Sequence, residues 1–394
     1  MSAFAFRLEA TCGPARAGWW ETPHGVIPTP AFMPVASQAS VKALTPQEAR
    51  ACGTHMLLCN AYHLSLRPGV EVVRSFGGLH AFMGWDGPIL TDSGGFQVYS
   101  LGDLRRITDE GILFQSHVDG SSHWLTPEEA IRNQEALGAD CITCLDECLP
   151  YGASLEALAL AVERTQRWAE RCVQARTRPD QALFAIVQGG HDPHLRRLSA
   201  EGLVALGCEG YAVGGLSVGE DKPLFRRIAR LTSGLLPPDR PRYLMGVGAP
   251  DDLVQCIGMG YDLFDCVLPT RAGRTGGVYT RLGRVDITAS QWRLKRGPLE
   301  EGCDCLACTH FSAGYLNHLF RAQELLAYRL ATLHNLRFYQ RLMAQARQAI
   351  REGHFPEWQE AFLATYRPTD EGARLAQHLQ RKERHRLARE ETWH

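Results

Sequence analysis

Short apolar runs rich in β-forming residues alternate with helical patterns along most of this 394-residue chain. Eight of these runs are predicted strands: Ala31 to Ala36, His55 to Asn60, Pro88 to Thr91, Cys141 to Leu145, Leu183 to Val187, Gly210 to Val213, Arg242 to Met245 and Leu263 to Leu268. The helices predicted between them are Thr45 to Ala51, Pro127 to Leu137, Ser154 to Ala175, Pro193 to Leu206, Lys222 to Leu235 and Pro250 to Met259. Eight strands alternating with helices predict an α/β fold, a (β/α)8 TIM barrel, with a doubly wound open sheet as the alternative.

Polar residues and glycines stand at or just beyond the C-terminal ends of the third to eighth predicted strands. They are Asp92-Ser93-Gly94-Gly95, Asp146-Glu147, Gln188-Gly189-Gly190, Gly214-Gly215-Leu216, Gly246-Val247-Gly248 and Asp265. In a barrel these ends converge on one mouth, where active sites lie. The glycines permit close approach of backbone N–H groups to a flat ligand. Asp146 supplies an acceptor and Gln188 a mixed donor and acceptor, a set that suits the edge of guanine with two donors beside a carbonyl.

Asp265 interrupts the last apolar run, and Pro269 is predicted to end the strand before a Gly-containing loop with Arg271 and Arg274. An unpaired carboxylate in a buried strand is costly, so Asp265 must be paired, neutralised or in use. Beside two arginines, it suggests chemistry on a ligand that carries phosphates. The alternative is a structural aspartate that caps the next loop.

The charge of the whole chain does not favour nucleic acid, since the net charge is −1. A local patch does, because the window from Arg271 to Arg296 holds seven basic residues and a single acid, Asp286. The alternative is a solvated charged face. The C-terminal stretch from Arg381 to His394 mixes both signs and is predicted to be a solvated helix.

Thirteen cysteines, odd in number and scattered, do not resemble a disulfide framework. No signal peptide and no apolar run long enough to span a bilayer are recognised, so we expect reduced thiols, a cytoplasmic location and no membrane partner. Cys303, Cys305 and Cys308 lie within six residues and can reach one tetrahedral ion. The fourth ligand is left open among His310, His318 and His334, and a closed site of this kind would be structural.

Two segments add to the simple alternation of strands and helices. The segment from Ile112 to Leu125 is predicted to be an inserted hairpin that turns at Asp119-Gly120. The cysteine cluster is followed by a long helical run from Ser312 to Ile350. We therefore expect a barrel over residues 1–284, a zinc-binding subdomain with a long helix over 285–350, and a C-terminal helical segment with a charged tail over 351–394.

Several long motifs resemble the queuine tRNA-ribosyltransferases, also called tRNA-guanine transglycosylases. They are Thr91-Asp92-Ser93-Gly94-Gly95-Phe96-Gln97, Val187-Gln188-Gly189-Gly190, Ala212-Val213-Gly214-Gly215-Leu216, Phe264-Asp265-Cys266-Val267-Leu268-Pro269-Thr270-Arg271, and Cys303-x-Cys305-x2-Cys308 with His334 downstream. The resemblance runs from about Arg7 to Tyr366. It implies a barrel with an inserted zinc subdomain and the exchange of guanine at the wobble position of certain tRNAs for a 7-deazaguanine. It also suggests a homodimer.

The resemblance implies a role for individual residues. Asp265 resembles the nucleophile and Asp92 the general acid and base. The set that resembles the base-binding residues is Ser93, Gly94, Gly95, Phe96, Asp146, Gln188, Gly215, Leu216, Val218 and Met245. The set that resembles the RNA-contacting loops is Gly246, Val247, Gly248, Ala249, Pro250, Asp251, Asp252, Thr270, Arg271, Ala272, Gly273 and Arg274. The set that resembles the zinc ligands is Cys303, Cys305, Cys308 and His334.

The choice of incoming base is expected to depend on a few residues around the pocket. A bacterial member is expected to take 7-aminomethyl-7-deazaguanine and to act on tRNAs with GUN anticodons, those for aspartate, asparagine, histidine and tyrosine. Val218 stands where queuine-using members resemble one another in having glycine, so we expect the aminomethyl base to be preferred over queuine. The chain departs from the commonest pattern at Leu145 and Leu149, which are expected to border the pocket. A queuine-accepting transglycosylase, a hydrolytic glycosidase and a catalytically silent RNA-binding zinc protein remain alternatives.

Overall fold

The structure is a computed structural model of the chain and describes residues 4–99 and 105–369. The strands in chain order are β1 (Ala5–Cys12), β2 (Ala15–Thr22), β3 (Gly25–Thr29), β4 (Ala31–Ala36), β5 (Leu57–Asn60), β6 (Ile89–Asp92), β7 (Arg105–Ile107), β8 (Ile112–Gln115), β9 (Ser122–Leu125), β10 (Cys141–Thr143), β11 (Ala182–Val187), β12 (Gly210–Val213), β13 (Arg242–Leu244), β14 (Leu263–Cys266), β15 (Gly277–Thr280) and β16 (Gly283–Asp286).

The helices in chain order are α1 (Pro46–Ala51), α2 (Ala61–Leu66), α3 (Val70–Ser75), α4 (Leu79–Met83), α5 (Gly95–Tyr99), α6 (Pro127–Leu137), α7 (Leu155–Ala175), α8 (Pro193–Val204), α9 (Lys222–Leu235), α10 (Pro250–Ile257), α11 (Leu268–Arg274), α12 (Leu306–His310), α13 (Ala313–Arg321), α14 (Leu325–Arg351) and α15 (Phe355–Thr365), with a short 3-10 helix at Ser290–Trp292. Several begin as expected from their caps: Thr126 accepts a hydrogen bond from the N–H of Glu129, and Thr45 forms a capping box with Glu48.

The eight predicted strands close into one parallel barrel, in the order β4, β5, β6, β10, β11, β12, β13, β14 and back to β4. The (β/α)8 fold is therefore confirmed and the open sheet is excluded. We call the C-terminal ends of these strands the mouth of the barrel and their N-terminal ends its floor. Side chains fill the interior, among them Met33, Leu90, Phe184 and Ile186, so the barrel is a packed core.

An antiparallel sheet of β1, β2 and β3 covers the barrel floor, and it was not predicted. Trp20 of β2 is buried and packs edge-on against Phe184 of β11, with ring centroids 5.3 Å apart. Arg16 of the same strand forms a salt bridge with Asp262 at the start of β14. The sheet thus closes the end of the barrel opposite to the mouth.

The predicted hairpin is present as the antiparallel pair β8 and β9, extended by β7 into a three-stranded sheet. Its turn includes Gly120, which has a φ of 75° and donates its N–H to the carbonyl of Ser116. The side chains of α7 hold the sheet: Trp168 donates to the carbonyl of Asp109, and Arg164 and Arg167 pair with the Asp109 carboxylate.

Two sequence expectations about local structure were wrong. The segment after β14 is a helix, α11, where a Gly-containing loop was expected, because Pro269 lies in the first turn of a helix, where its missing N–H is no loss. The run from Ser312 to Ile350 is not one helix but two, since Gln323 adopts a φ of 59° between α13 and α14.

The long helix α14 packs against α11 and the first strands, and it fills the place of the last helix around the barrel. The unit with the cysteine cluster lies between α11 and α14 in the chain, as an insertion. The predicted helical tail from Arg381 to His394 lies outside the described residues. Of the helices in the described ranges, none has the length and apolar character needed to cross a bilayer.

Candidate active site

A cavity of about 280 Å³ opens at the barrel mouth, where six strand ends meet. Nine of the residues assigned to catalysis or base binding from the sequence line it: Asp92, Phe96, Asp146, Gln188, Gly215, Leu216, Val218, Met245 and Asp265. The other lining residues are Leu58, Cys148, Gly214, Ser217, Tyr243, Gly246, Cys266 and Val267. The strand-end pattern therefore predicted correctly that Asp92, Asp146, Gln188 and Asp265 meet in one cavity, which Ser93 and Glu147 do not line.

Asp265 is half-buried at the third position of β14. Its Oδ1 accepts two hydrogen bonds, from the hydroxyl of Tyr243 at 2.6 Å and from the N–H of Gly246 at 2.8 Å. Burial raises the pKa of Asp265, and these two donors act in the opposite direction by stabilising the anion. No cation is needed to hold the carboxylate in place.

Asp92 ends β6 and is buried. Its Oδ1 accepts from the N–H of Ala61 at 3.0 Å, and its Oδ2 accepts from Asn60 at 2.6 Å and from Gln97 at 3.1 Å. Burial raises the pKa of Asp92 to about 7, and the negative charge of Asp265 adds to this effect, against the opposing hydrogen bond from Ala61. A carboxyl group with such a pKa can both donate and accept a proton near neutral pH.

Asp146 and Gln188 form a pair on another wall of the cavity, where the amide of Gln188 donates to Asp146 at 2.6 Å. Burial raises the pKa of Asp146 to about 6. Gly214 and Gly215 leave room for Gln188, because a Cβ on either would lie 2.5 Å from its amide group. A side chain there would displace Gln188, so the two glycines are needed for this wall.

Three residues of the predicted base-binding set, Ser93, Gly94 and Gly95, are buried behind the cavity and do not line it. A Cβ on Gly94 would lie 2.9 Å from that of Tyr62, and one on Gly95 would lie 3.0 Å from the carbonyl oxygen of Asp146. These glycines let α2, α5 and the segment after β10 approach one another. Phe96, directly after them, is exposed at the cavity rim.

Leu145 and Leu149, which were expected to border the pocket, do not line this cavity. Leu145 is buried below Gly95, whereas Leu149 lines a neighbouring cavity of about 260 Å³ that shares Gly215 with the first one. Leu149 therefore lies beyond one wall of the site.

Four site residues were not singled out from the sequence. Tyr243 and Asn60 hold the two catalytic candidates by the hydrogen bonds given above. Arg196 of α8 is fully buried and donates to the carbonyls of Val187, Gly190 and Gly214. Glu220 accepts hydrogen bonds from the N–H groups of Ser217 and Val218, which shapes the turn beside the cavity.

For Asn60 a signal existed, because it is a polar residue at the end of β5. Tyr243 and Arg196 lie within apolar or helical patterns that do not distinguish them from core and surface residues.

The two loops assigned to RNA contacts expose few of their side chains. In the first, Gly246 is exposed and Ala249 half-buried, whereas Val247, Gly248, Pro250, Asp251 and Asp252 are buried, and Asp252 pairs with Lys222. In the second, Arg271 is exposed and Arg274 half-buried, whereas Thr270, Ala272 and Gly273 are buried. Burial, together with the charge of Arg271, lowers the pKa of Arg274. The surface at this edge of the mouth is thus backbone and guanidinium groups.

A cluster of Cys303, Cys305, Cys308 and His334 lies between α12 and α14, with their ligand atoms within 4.8 Å of one another. The three sulfurs lie 3.7, 3.6 and 3.3 Å from Nδ1 of His334. Nε2 of His334 lies 2.7 Å from the carbonyl of Tyr279, so it must carry the ring proton and Nδ1 keeps its lone pair. His310 and His318 are not part of the cluster. The donor set fits a tetrahedral metal ion held without an open position.

The fold and the site define a class: a (β/α)8 barrel enzyme with acidic groups at its mouth and a Cys3His metal unit beside it. Comparison with known proteins gives the family. The family described as queuine tRNA-ribosyltransferase matches residues 11–368.

Proteins named queuine tRNA-ribosyltransferase are similar over almost their whole length. That of one strain of Thermus thermophilus is 54% identical over 362 residues, 92% of this chain and 94% of the relative. That of one strain of Dehalococcoides mccartyi is 50% identical over 363 residues, 92% and 93% of the two chains. The chain belongs to the queuine tRNA-ribosyltransferase family and is a transferase of the pentosyl type.

Proposed function

We propose that this enzyme exchanges guanine at the wobble position of tRNAs with GUN anticodons for 7-aminomethyl-7-deazaguanine. These are the tRNAs for aspartate, asparagine, histidine and tyrosine. The observation that carries the proposal is the presence, in one cavity, of two carboxyl groups held by neutral donors and an amide–carboxylate pair. Base exchange needs the two carboxyl groups for the chemistry and the amide–carboxylate pair for recognition of the base.

The base is read by Asp146 and Gln188. Guanine offers two donors beside a carbonyl, and a carboxylate facing the donors with an amide facing the carbonyl matches that edge. Met245 and Phe96 both line the cavity, and we expect them to cover the two faces of the flat ring, one as an adaptable apolar side chain and one as an aromatic ring. The target nucleotide has to leave its stack to enter the cavity.

Asp265 attacks the anomeric carbon of the ribose and forms a covalent ester with the RNA as guanine leaves. Both described hydrogen bonds to its carboxylate go to Oδ1, which leaves Oδ2 as the attacking atom. The incoming base then displaces Asp265, so that the configuration at the anomeric carbon is retained. Water has to stay out of the cavity while the ester exists, since hydrolysis would leave an abasic site.

Asp92 transfers the protons. It protonates the leaving guanine and then takes the proton of the incoming base. Its pKa of about 7 suits both steps, because at neutral pH the two protonation states have similar populations. Asn60, Gln97 and the N–H of Ala61 stabilise the ionised form that results from the first step.

Arg271 and Arg274 contact phosphates and set the register of the anticodon loop, and the exposed backbone at Gly246 approaches the RNA. The metal of the Cys3His cluster is zinc, because three thiolates and one imidazole in a closed site are typical of structural zinc. It stabilises the unit between α11 and α14 and takes no part in the chemistry. Large apolar side chains are exposed on this unit, Leu294 to 87%, and at the start of α14, Leu325 to 80%, which supports pairing as a homodimer. The proposed setting is the cytoplasm.

Exchange is tested by incubating the protein with radiolabelled guanine and unmodified tRNA. Incorporation of label into tRNA with retention of chain integrity supports the transglycosylase. Release of guanine without incorporation would identify a hydrolase, and binding without either would identify a silent RNA-binding protein. Sedimentation of the same preparation at several concentrations tests the homodimer.

The choice of incoming base is tested by competition between 7-aminomethyl-7-deazaguanine and queuine. Val218 lines the cavity beside the turn held by Glu220, and its side chain would overlap a bulky 7-substituent. Overpacking costs roughly 1–3 kcal/mol, or about 5- to 150-fold in preference. Val218→Gly should relax the preference by that factor, whereas Leu149→Ala, beyond the cavity wall, should not. Equal use of the two bases by the wild type would contradict the assignment of Val218.

A further inference from the structure

A second group of metal-binding side chains lies at the barrel floor, at the opposite end from the proposed active site. His24 is in the turn between β2 and β3, His80 is in α4, and Asp140 directly precedes β10. Their candidate ligand atoms all lie within 4.8 Å of one another. We propose that His24, His80 and Asp140 bind a divalent first-row transition-metal ion.

The distances within the group are those of neighbouring ligands around one ion. Nδ1 of His24 lies 2.8 Å from Oδ1 of Asp140, and Nε2 of His80 lies 3.1 Å from Oδ2. With metal–ligand bonds of about 2.0–2.2 Å, adjacent ligand atoms are separated by about 2.9 Å at right angles and by about 3.4 Å in a tetrahedron. Each ring contacts a different oxygen of Asp140. The two rings are stacked with their centroids 3.6 Å apart, so at least one ring has to rotate before both in-plane lone pairs meet at one ion.

The carboxylate is held by the backbone independently of the two imidazoles. Asp140 has a fully buried side chain, and it accepts from the N–H of Ile89 at 2.8 Å and from the N–H of His24 at 3.2 Å. These donors orient the carboxylate as outer-shell hydrogen bonds do in metal sites. When an ion binds, each ring turns its lone pair to the metal and carries its proton on the other nitrogen.

The group is open on one side. The side chain of His24 is 43% exposed, whereas that of His80 is 14% exposed, so an ion and its water ligands can reach the site past His24. Two imidazoles and one carboxylate favour zinc, nickel, cobalt or iron(II) over magnesium and calcium, which prefer oxygen ligands only. The bound ion would connect the sheet that covers the floor to α4 and to the starts of β6 and β10. Its effect is therefore on stability and not on base exchange.

The test is a zinc titration of the untagged protein after its Cys3His cluster has been loaded with one equivalent. We expect the wild type to bind a second equivalent and to gain thermal stability with rising free zinc. His24→Ala removes the most exposed ligand, and it should lower the affinity of this second site by at least about 10-fold. His194→Ala is the matched control, since His194 is an exposed histidine of α8 outside the group.

Cobalt gives an independent readout. A cobalt ion in this site has no sulfur ligand, so the second equivalent should bind without the sulfur-to-cobalt absorption that the first one produces. The proposal is overturned if the wild type binds only one equivalent, or if His24→Ala binds the second as tightly as the wild type does. It is also overturned if His194→Ala and His24→Ala lose the second equivalent to the same extent.

Discussion

The two ends of β14 hold aspartates in opposite ways. At the floor, both oxygens of Asp262 pair with the Arg16 guanidinium at 2.8 Å, and the N–H of Arg242 donates as well. At the mouth, three residues further on, Asp265 accepts from the neutral donors Tyr243 and Gly246. A carboxylate that is paired with a buried cation stabilises the fold, and its charge is not available for a ligand. A carboxylate held by neutral donors keeps its charge available for a ligand.

The same contrast recurs at neighbouring positions after β10. Glu147 pairs with Arg164, whereas Asp146 accepts from the neutral amide of Gln188. Asp92 likewise has three neutral donors. The type of partner, and not burial alone, therefore separates structural carboxylates from candidates for chemistry in this barrel.

The largest effect is expected from Asp265→Asn. The amide is nearly isosteric but cannot form the ester, so exchange should fall by roughly 10,000-fold or more, as on removal of a catalytic nucleophile. Binding of tRNA should persist. Denaturing gels of the wild type with tRNA should show a shifted covalent band that the variant lacks. Exchange by the variant at a near wild-type rate would contradict the reactive role assigned to Asp265. It would point to Asp92 as the nucleophile.

Asp262→Asn tests the salt bridge between Asp262 and Arg16 at the barrel floor. The variant leaves the Arg16 guanidinium buried without its counter-charge, which should cost about 3–5 kcal/mol in the free energy of unfolding. Exchange per folded molecule should stay close to that of the wild type. Urea unfolding measures the loss, and Asp109→Asn is the control, because Asp109 is an exposed partner of Arg164 and Arg167 worth about 0–1 kcal/mol. Equal losses in the free energy of unfolding for Asp262→Asn and Asp109→Asn would contradict the structural role assigned to the salt bridge between Asp262 and Arg16.

Removing one cysteine of the Cys3His cluster extends the comparison to thiolates, whose charge a bound metal ion would compensate. Cys305→Ser should lower the metal content of the Cys3His cluster and the thermal stability. It should also weaken tRNA binding, because the cluster is joined through α14 to the loops at the edge of the mouth. Cys12→Ser is the control, because Cys12 is a half-buried cysteine of β1 outside the cluster. Cys148 is unsuitable as a control because it lines the cavity. A metal-free Cys305→Ser protein with full tRNA affinity and stability would exclude a structural role.

The smallest effect concerns pH. In the proposed mechanism Asp92 must be protonated to release guanine, so kcat/KM should fall as pH rises through its pKa of about 7. Gln97→Met removes a donor that favours the ionised form, which raises the pKa of Asp92 further and moves the alkaline limb to higher pH. Gln359→Met, on α15, should leave the limb in place. A limb that moves to lower pH would show that Gln97 acts on another group.

Sequence patterns located the eight barrel strands to within two residues at nearly every end, because strand periodicity and helix caps are local signals. The rule that strand ends converge then placed Asp92, Asp146, Gln188 and Asp265 in one cavity. Partners distant in sequence could not be predicted in this way. The paired residues Arg16 and Asp262 are 246 positions apart in the sequence, and no local pattern predicts their contact.

Some local signals were also ambiguous. Pro269 can end a strand or open a helix, and only the packing of α11 on α14 selects the helix. The break at Gln323 has no glycine or proline to mark it. The N-terminal sheet was missed because its role as the cover of the floor depends on a barrel that is formed later in the chain.

Helix α14 has a consequence for how the mouth opens. His334 belongs to the Cys3His cluster, which could hold a metal ion, and the next residue, Asn335, donates to the carbonyl of Pro269 at 2.9 Å. One turn on, Tyr339 donates to the carbonyl of Gly248 at 2.6 Å. Both loops at this edge of the mouth are thus hydrogen-bonded to the single helix that carries His334. Amide protons of α11 and of residues 246–250 should therefore exchange with solvent as one cooperative unit, and metal binding at the Cys3His cluster should lower its opening frequency.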